Sequence, residues 1–335
     1  MNTSRGPRHT VAGDSPDFDP DAYTPPAGSP QGHLWGCGCA LHARRRFTAL
    51  LGTAGVAAVA SAAGVPATAE AREGVDVGER SRTAGLIPAE QLEAEAAAQY
   101  RKILAEAQAK RALAPDNHPQ VQRLRAIAQR IIPQSYGWNP RARQWRWEIN
   151  LIGSSQVNAF CMPGGKIAFY FGILEQLQLD DDEVAAIMGH EAAHALREHA
   201  RERMAKTTLT RGAIEIGSAL LGLGDLGRMA AGVGEQLLTL RFSREDETEA
   251  DLVGLELSAR SGYRPSAGIS LWQKMGAASQ GAPPQWLSTH PASSTRIRDM
   301  EVNLPKVQGL YERAPRPEQR FGPPPRRSGG AGSGN

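Results

Sequence analysis

The stretch running from Gly189 to His199, Gly-His-Glu-Ala-Ala-His-Ala-Leu-Arg-Glu-His, gathers the residue types most able to do chemistry. It contains no proline and is rich in good helix formers, so a helix is predicted here. A helix turns about 100° per residue, which leaves positions four apart separated by only about 40° around the axis. His190 and His194 can therefore offer imidazole nitrogens to a single ion. Glu191 sits one position further round, where it can reach a water held on that ion without ligating the ion itself. This is the arrangement of a zinc hydrolase with a carboxylate base. The plainer alternative is an alanine-rich helix that carries two histidines by chance.

Two imidazoles do not complete such a site. His199 follows His194 by five positions, about 140° away on a continuous helix, and is expected at the surface or behind the ligands. The metzincin pattern is excluded, because Arg197 and Ala200 stand where it requires glycine and histidine. A better source of a third ligand is Ser-Arg-Glu-Asp-Glu-Thr-Glu-Ala-Asp, residues 243–251. There Glu247 and Asp251 lie four apart on one predicted helix face. One carboxylate can bind the ion while the other accepts a hydrogen bond from a ligand histidine and fixes its tautomer. Alone, the segment would read as the solvated acidic start of a helix. Beside the histidine motif, the ligand reading prevails.

These groups need a scaffold. Residues 88–113 are rich in helix formers, and Asn117 opens a second predicted helix with Val121, Leu124, Ala128 and Ile131 on one face, ended by Pro133. Trp145, Trp147, Ile149 and Leu151 alternate with polar residues, the period of a half-buried strand. Residues 157–174 read as strand, Pro-Gly-Gly turn and strand, since Gly164 and Gly165 can take positive φ without steric cost. The second of these strands, near Lys166 to Phe171, is expected to pair with an extended substrate backbone. Cys161 reads as a small buried hydrophobe.

A long helix capped by Asp180, Asp181 or Asp182 should carry the motif and run to about Met204. Residues 211–234, rich in Gly and Leu but too polar to span a bilayer, suggest a helical hairpin or a cover. Another helix begins near Ser243, and two short helical segments flank residues 288–297.

Length and composition allow one large domain or two small ones with a substantial core. The net charge of +3 is spread along the chain, which argues against a nucleic-acid surface. Residues 1–43 read as a disordered leader, and 44–69, opening on Arg44-Arg45-Arg46-Phe47, as a twin-arginine signal with cleavage after Ala69. An uncleaved N-terminal anchor is the alternative. The expected domain then covers 70–312, followed by a disordered tail, 313–335. Cleavage would leave Cys161 as the sole cysteine, so the fold is expected to rest on packing and a metal rather than on disulfides.

The motif at His190–His194, the segment Glu247-Thr248-Glu249-Ala250-Asp251, Asn158-Ala159-Phe160, the Pro163-Gly164-Gly165 turn and Ser288-Thr289-His290-Pro291 with Arg296 span about residues 120–300. Together they resemble the gluzincin metallopeptidases of family M48, with its HtpX, BepA and Oma-like branches, and among these a soluble exported branch. The resemblance implies an α+β fold: a mainly helical, zincin-like domain with a small β-sheet beside the active-site helix. It implies one Zn2+ per chain on His190, His194 and Glu247, with Glu191 as base and Asp251 and Arg296 behind the ligands. It further implies His290 as a donor near the developing oxyanion, and Asn158, Gly164 and Gly165 along the strand that meets the substrate.

The expected function is a zinc endopeptidase of the cell envelope, most simply periplasmic, acting on unfolded or misfolded proteins. No nucleic-acid partner and no membrane span after the signal are expected, and peripheral membrane association stays open. The competing reading is a chaperone-like assembly factor whose zinc is structural.

Overall fold

The computed structural model describes residues 18–25, 73–220, 237–238, 240–279, 284–291 and 294–326, and of residues 210–220 the helical backbone alone. In chain order the elements are α1 (Ala89–Ala109), α2 (Pro119–Ser135), β1 (Glu148–Ile152), β2 (Ala159–Met162), β3 (Lys166–Tyr170) and α3 (Phe171–Gln176). There follow α4 (Asp181–Leu196), α5 (His199–Leu220), α6 (Arg244–Arg260), α7 (Ala267–Ala278), α8 (Trp286–Thr289) and α9 (Ser294–Arg313). Short 3-10 turns at Arg82–Leu86 and Pro140–Arg143 complete the set among the described residues. The fold is α+β, mostly helical, with one small sheet.

The sheet has the order β1-β3-β2, with β1 parallel and β2 antiparallel to β3. Successive side chains of a strand point to opposite faces, and both faces here are covered. Ile167 and Phe169 join the main core with residues of α2, α4 and α6, while Ala168 and Tyr170 pack with Ala96, Tyr100 and Ile103 of α1. Every residue of β3 is accordingly buried. The turn between β2 and β3 uses positive φ at Gly164 (84°) and Gly165 (74°). A Cβ on Gly165 would lie 2.6 Å from the Trp147 ring, so this position excludes side chains twice over.

The helix carrying the histidine motif starts with a complete capping box. Asp180 Oδ1 accepts from the Glu183 amide (2.8 Å), and Glu183 Oε2 accepts from the Asp180 amide (2.9 Å). Ser243 and Asp246 repeat the device at the start of α6. Thus α4 and α6, which pack along one another, each have a fixed beginning. Their closest approach is at two glycines. A Cβ on Gly189 would lie 2.9 Å from the Gly254 carbonyl oxygen, and one on Gly254 would lie 2.8 Å from the His190 nitrogen. Backbone meeting backbone lets short carboxylates on α6 reach imidazoles on α4.

Several elements differ from the sequence prediction. Pro133 does not end α2 but sits in its last turn, where few amide bonds remain to be lost, and the N-cap is His118 rather than Asn117. The first strand begins at Glu148, so Trp145 and Trp147 precede it. The long helix expected to reach Met204 breaks after Leu196 and restarts at His199, with Glu198 at φ 63°.

The second helix flanking residues 288–297 is 20 residues long, not short. Parts of the predicted leader and tail are fastened to the body. Tyr23 is buried against Tyr170, and its amide donates to Gly153 O (2.8 Å). Arg320 pairs with Asp182 at 2.8 Å, while the Phe321 amide donates to Asp181 at 2.8 Å. Residues 26–72, with the arginine-led signal, lie outside the described residues, as do 221–234 of the predicted hairpin or cover.

Candidate metal centre

One turn of α4 separates His190 from His194, and both rings project toward α6. Their Nε2 atoms lie 3.1 Å apart. Glu247, in the first turns of α6, places Oε2 3.6 Å from His190 Nε2 and Oε1 3.6 Å from His194 Nε2. His290, just after α8, adds Nδ1 at 3.3 Å from His190 Nε2 and 3.0 Å from Glu247 Oε1. One donor atom from each of these four side chains falls within 4.8 Å of all the others. Ligand atoms bound tetrahedrally at zinc–nitrogen lengths are separated by about 3.3 Å, so the spacing fits a single small ion. All four residues are buried, and Glu247 Oε2 makes no well-aligned hydrogen bond. A buried carboxylate beside imidazole nitrogens is a donor set that suits a divalent cation, and Glu247 Oε2 has otherwise only the charge of Arg296 Nη1, 2.6 Å away, to face.

Behind His190 stands a charged network. His190 Nδ1–H donates to Asp251 Oδ1 (3.0 Å), leaving Nε2 free to face the cluster. Arg296 grips Asp251 with two bonds, Nε to Oδ2 (2.6 Å) and Nη2 to Oδ1 (2.7 Å), and its Nη1 lies 2.6 Å from Glu247 Oε2. The Arg296 guanidinium in turn lies over the Trp272 ring, 3.7 Å from its centroid. The structure thus brings Asp251 and Arg296 together behind His190 and Glu247.

Burial governs the protonation states. Desolvation, reinforced by the neighbouring rings, pushes His194 well below the ordinary histidine range and so keeps its imidazole neutral, the form able to bind a metal. Desolvation would raise the pKa values of Glu247 and Asp251, but in each case nearby positive groups win. Glu247 is lowered by His290, His190 and Arg296, and Asp251 is lowered to about 2, chiefly by Arg296. Burial would also lower His290, yet the carboxylates of Glu191 and Glu247 raise it. Cys161 is pushed well up by burial, consistent with an inert thiol.

Glu191 lies on the other side of His290. Its Oε1 accepts from the Trp286 indole N–H (2.6 Å) and lies 3.5 Å from His290 Nε2. Trp286, on the four-residue helix α8 and fully buried, was not foreseen from the sequence. Phe242 was also missed. Its ring stacks on His194 at 3.9 Å and covers that side of the cluster. An isolated aromatic before a helix gives no signal of its partner.

Of the two places expected for His199, the structure shows the one behind the histidine pair: the residue is buried, and the break at Glu198 turns it back until its Nδ1 lies 2.9 Å from His194 Nδ1. A separation of about 140° would hold only on a continuous helix, and this helix is interrupted.

Beside His194 opens a cleft bounded by Leu92 and Glu93, Trp145, Cys161 and Met162, the α4–α5 junction, and Leu237 and Phe242. The strand prediction needs correction here. β3 is central and bonded on both sides, so residues 166–170 have no edge to offer a peptide. Among the described residues β2 pairs with β3 alone, and β2 supplies Cys161 and Met162 to the cleft. Asn158 leads directly into β2, with its side-chain oxygen accepting from the Ala159 amide (3.0 Å). Gly164 and Gly165 close the hairpin against Glu93 and Trp147.

Comparison with known proteins points the same way. The profile described as Peptidase family M48 matches residues 118–303. The mitochondrial metalloendopeptidase OMA1 of Schizosaccharomyces pombe is 36% identical over 197 residues, covering 58% of this chain and 56% of that protein. Metalloprotease LoiP of Escherichia coli is 30% identical over 200 residues, 58% of this chain and 75% of LoiP. The Beta-barrel assembly-enhancing protease of Yersinia pestis is 28% identical over 159 residues, 44% of this chain and 32% of that protein. The chain therefore spans little more than half the length of the fission-yeast relative.

Proposed function

This chain belongs to peptidase family M48, and on that premise we propose that it is a zinc-dependent endopeptidase. The carrying observation is the convergence of His190, His194 and Glu247 with the base candidate Glu191 in one buried site. Zinc bound there would act as a Lewis acid that acidifies water and polarises the scissile carbonyl. Glu191, oriented by the Trp286 N–H, takes the proton of the attacking water and returns it to the leaving amine. His290, with both ring nitrogens beside carboxylates, donates a hydrogen bond toward the charge that develops on the carbonyl oxygen. The free edge of β2, running from Asn158 toward the Gly164-Gly165 turn, aligns the peptide by main-chain bonds.

The substrates we favour are unfolded or misfolded proteins, whose extended backbone suits pairing with a strand edge. We place the protein in the cell envelope, exported through the arginine-led segment at residues 44–69. Among the described residues no helix is long and apolar enough to cross a membrane. N-terminal sequencing of the product decides this point: a start at Glu70 supports export, and an intact Arg44-Arg45 pair rejects cleavage.

One observation favours a second reading. Counting His290, four protein donors converge, the number that closes a structural zinc site. The protein would then be a chaperone-like assembly factor. Casein digestion separates the two. The peptidase reading requires cleavage that a chelator stops and that Glu191→Gln abolishes while zinc stays bound. Zinc-loaded protein that cleaves nothing but suppresses client aggregation supports the second.

A further inference from the structure

The helix bearing both histidines stops at Leu196, and the chain passes through Glu198 at φ 63°, a left-handed conformation that side chains of this kind rarely adopt. Two arginines hold Glu198 there: its carboxylate lies 3.3 Å from Arg80 Nη1 and 2.9 Å from Arg201 Nη1. The turn delivers His199, 1% exposed, against the back of His194, with the two Nδ1 atoms 2.9 Å apart. On the far side of the His199 ring, Nε2 faces Glu249 Oε2 at 3.4 Å. The other oxygen of Glu249 accepts from the guanidinium of Arg197.

This geometry imposes an order on the protons. Two ring nitrogens at hydrogen-bond distance share one proton, so one ring must donate and the other accept. His194 turns Nε2 toward the cluster, which puts its proton on Nδ1 and makes it the donor. His199 then accepts at Nδ1 and carries its own proton on Nε2, which lies 3.4 Å from Glu249 Oε2 without the alignment of a hydrogen bond, so that carboxylate acts on the ring through its charge. A second protonation of His199 would place two N–H groups face to face.

We propose that His199 is a positioning residue for the ligand His194: it fixes the tautomer and ring angle that present Nε2 to the metal, and is itself oriented by Glu249 and Arg197. The proposal rests on the zinc-site reading above. It gives the helix break a purpose, since an unbroken helix would carry His199 away from His194.

The test uses the full chain with His199→Leu, His199→Asn and Glu249→Gln, and measures zinc affinity by competition with a chromophoric chelator. His199→Leu fills the space but cannot accept the His194 proton, and should weaken zinc binding about 10- to 100-fold. His199→Asn, whose amide oxygen can accept that proton, should restore most of the loss, which a role in packing alone would not produce. Glu249→Gln leaves both rings in place and should weaken binding about three- to tenfold, so the proposal remains testable if the leucine variant fails to fold.

Wild-type zinc affinity in both His199→Leu and Glu249→Gln overturns the proposal, as does an asparagine variant no better than leucine. Casein cleavage by the wild type is read in parallel. Zinc binding that depends on His199 in a protein that cleaves nothing rejects the peptidase reading alone. Cleavage with zinc binding indifferent to His199 rejects the positioning role alone, and a wild type that binds no zinc rejects both.

Discussion

The two histidines of α4 that we propose as metal ligands are supported from behind in contrasting ways. His190 leans on Asp251, which Arg296 holds with two short bonds, so its support is ionic, and it arises from the regular spacing of a helix that runs straight past it. His194 leans on His199, a buried ring held neutral, brought into place by a left-handed residue where the helix breaks. The first arrangement draws on charge and needs a compensating arginine in the core. The second draws on backbone geometry and needs Arg80 and Arg201 to hold a half-buried turn. Equivalent tasks on adjacent turns of one helix can thus be met by electrostatics or by chain path, and the two should fail differently.

The largest effect is expected on the ionic side. Arg296→Leu strands the Asp251 and Glu247 carboxylates in the core and should cost about 3–5 kcal/mol in chemical denaturation of the metal-free protein. A loss below about 1 kcal/mol would remove the charge network from the comparison. Next, Gly254→Ala forces a methyl against the α4 backbone at His190, and should cost about 1–3 kcal/mol in thermal unfolding with weaker zinc binding. Asp180→Ala removes the cap of α4 far from both supports, and should cost about 1 kcal/mol while leaving zinc affinity nearly unchanged. The smallest effect should be seen on chelation. Amide exchange should then quicken at residues 196–201, whose turn depends on two half-buried arginines, before it quickens at residues 246–254. The reverse order in hydrogen-exchange mass spectrometry would contradict the contrast drawn here.

The same contrast explains what could be read in advance. Helical spacing placed His190 and His194 together, and Glu247 with Asp251 on one face, because those relations follow from a period that the structure keeps. The Asp180 cap, the start near Ser243 and the Gly164-Gly165 hairpin rest on local chemistry and were equally legible. The break at Glu198 was not, since no glycine, proline or asparagine marks it and the forces that hold it come from Arg80 and Arg201. Long-range pairing also hid which strand is central: β3 is bonded on both sides, and among the described residues β2 is bonded on one side only. Trp286 reaches Glu191 across 95 positions from a single turn of helix, a relation with no local trace.

A zinc-loaded crystal structure with the metal located by its anomalous signal tests the central claim most directly. The account predicts one zinc per chain, with His190 Nε2, His194 Nε2 and a Glu247 oxygen each about 2.0–2.2 Å from it. A metal bound elsewhere, or a Glu247 carboxylate turned away from it, would contradict the account.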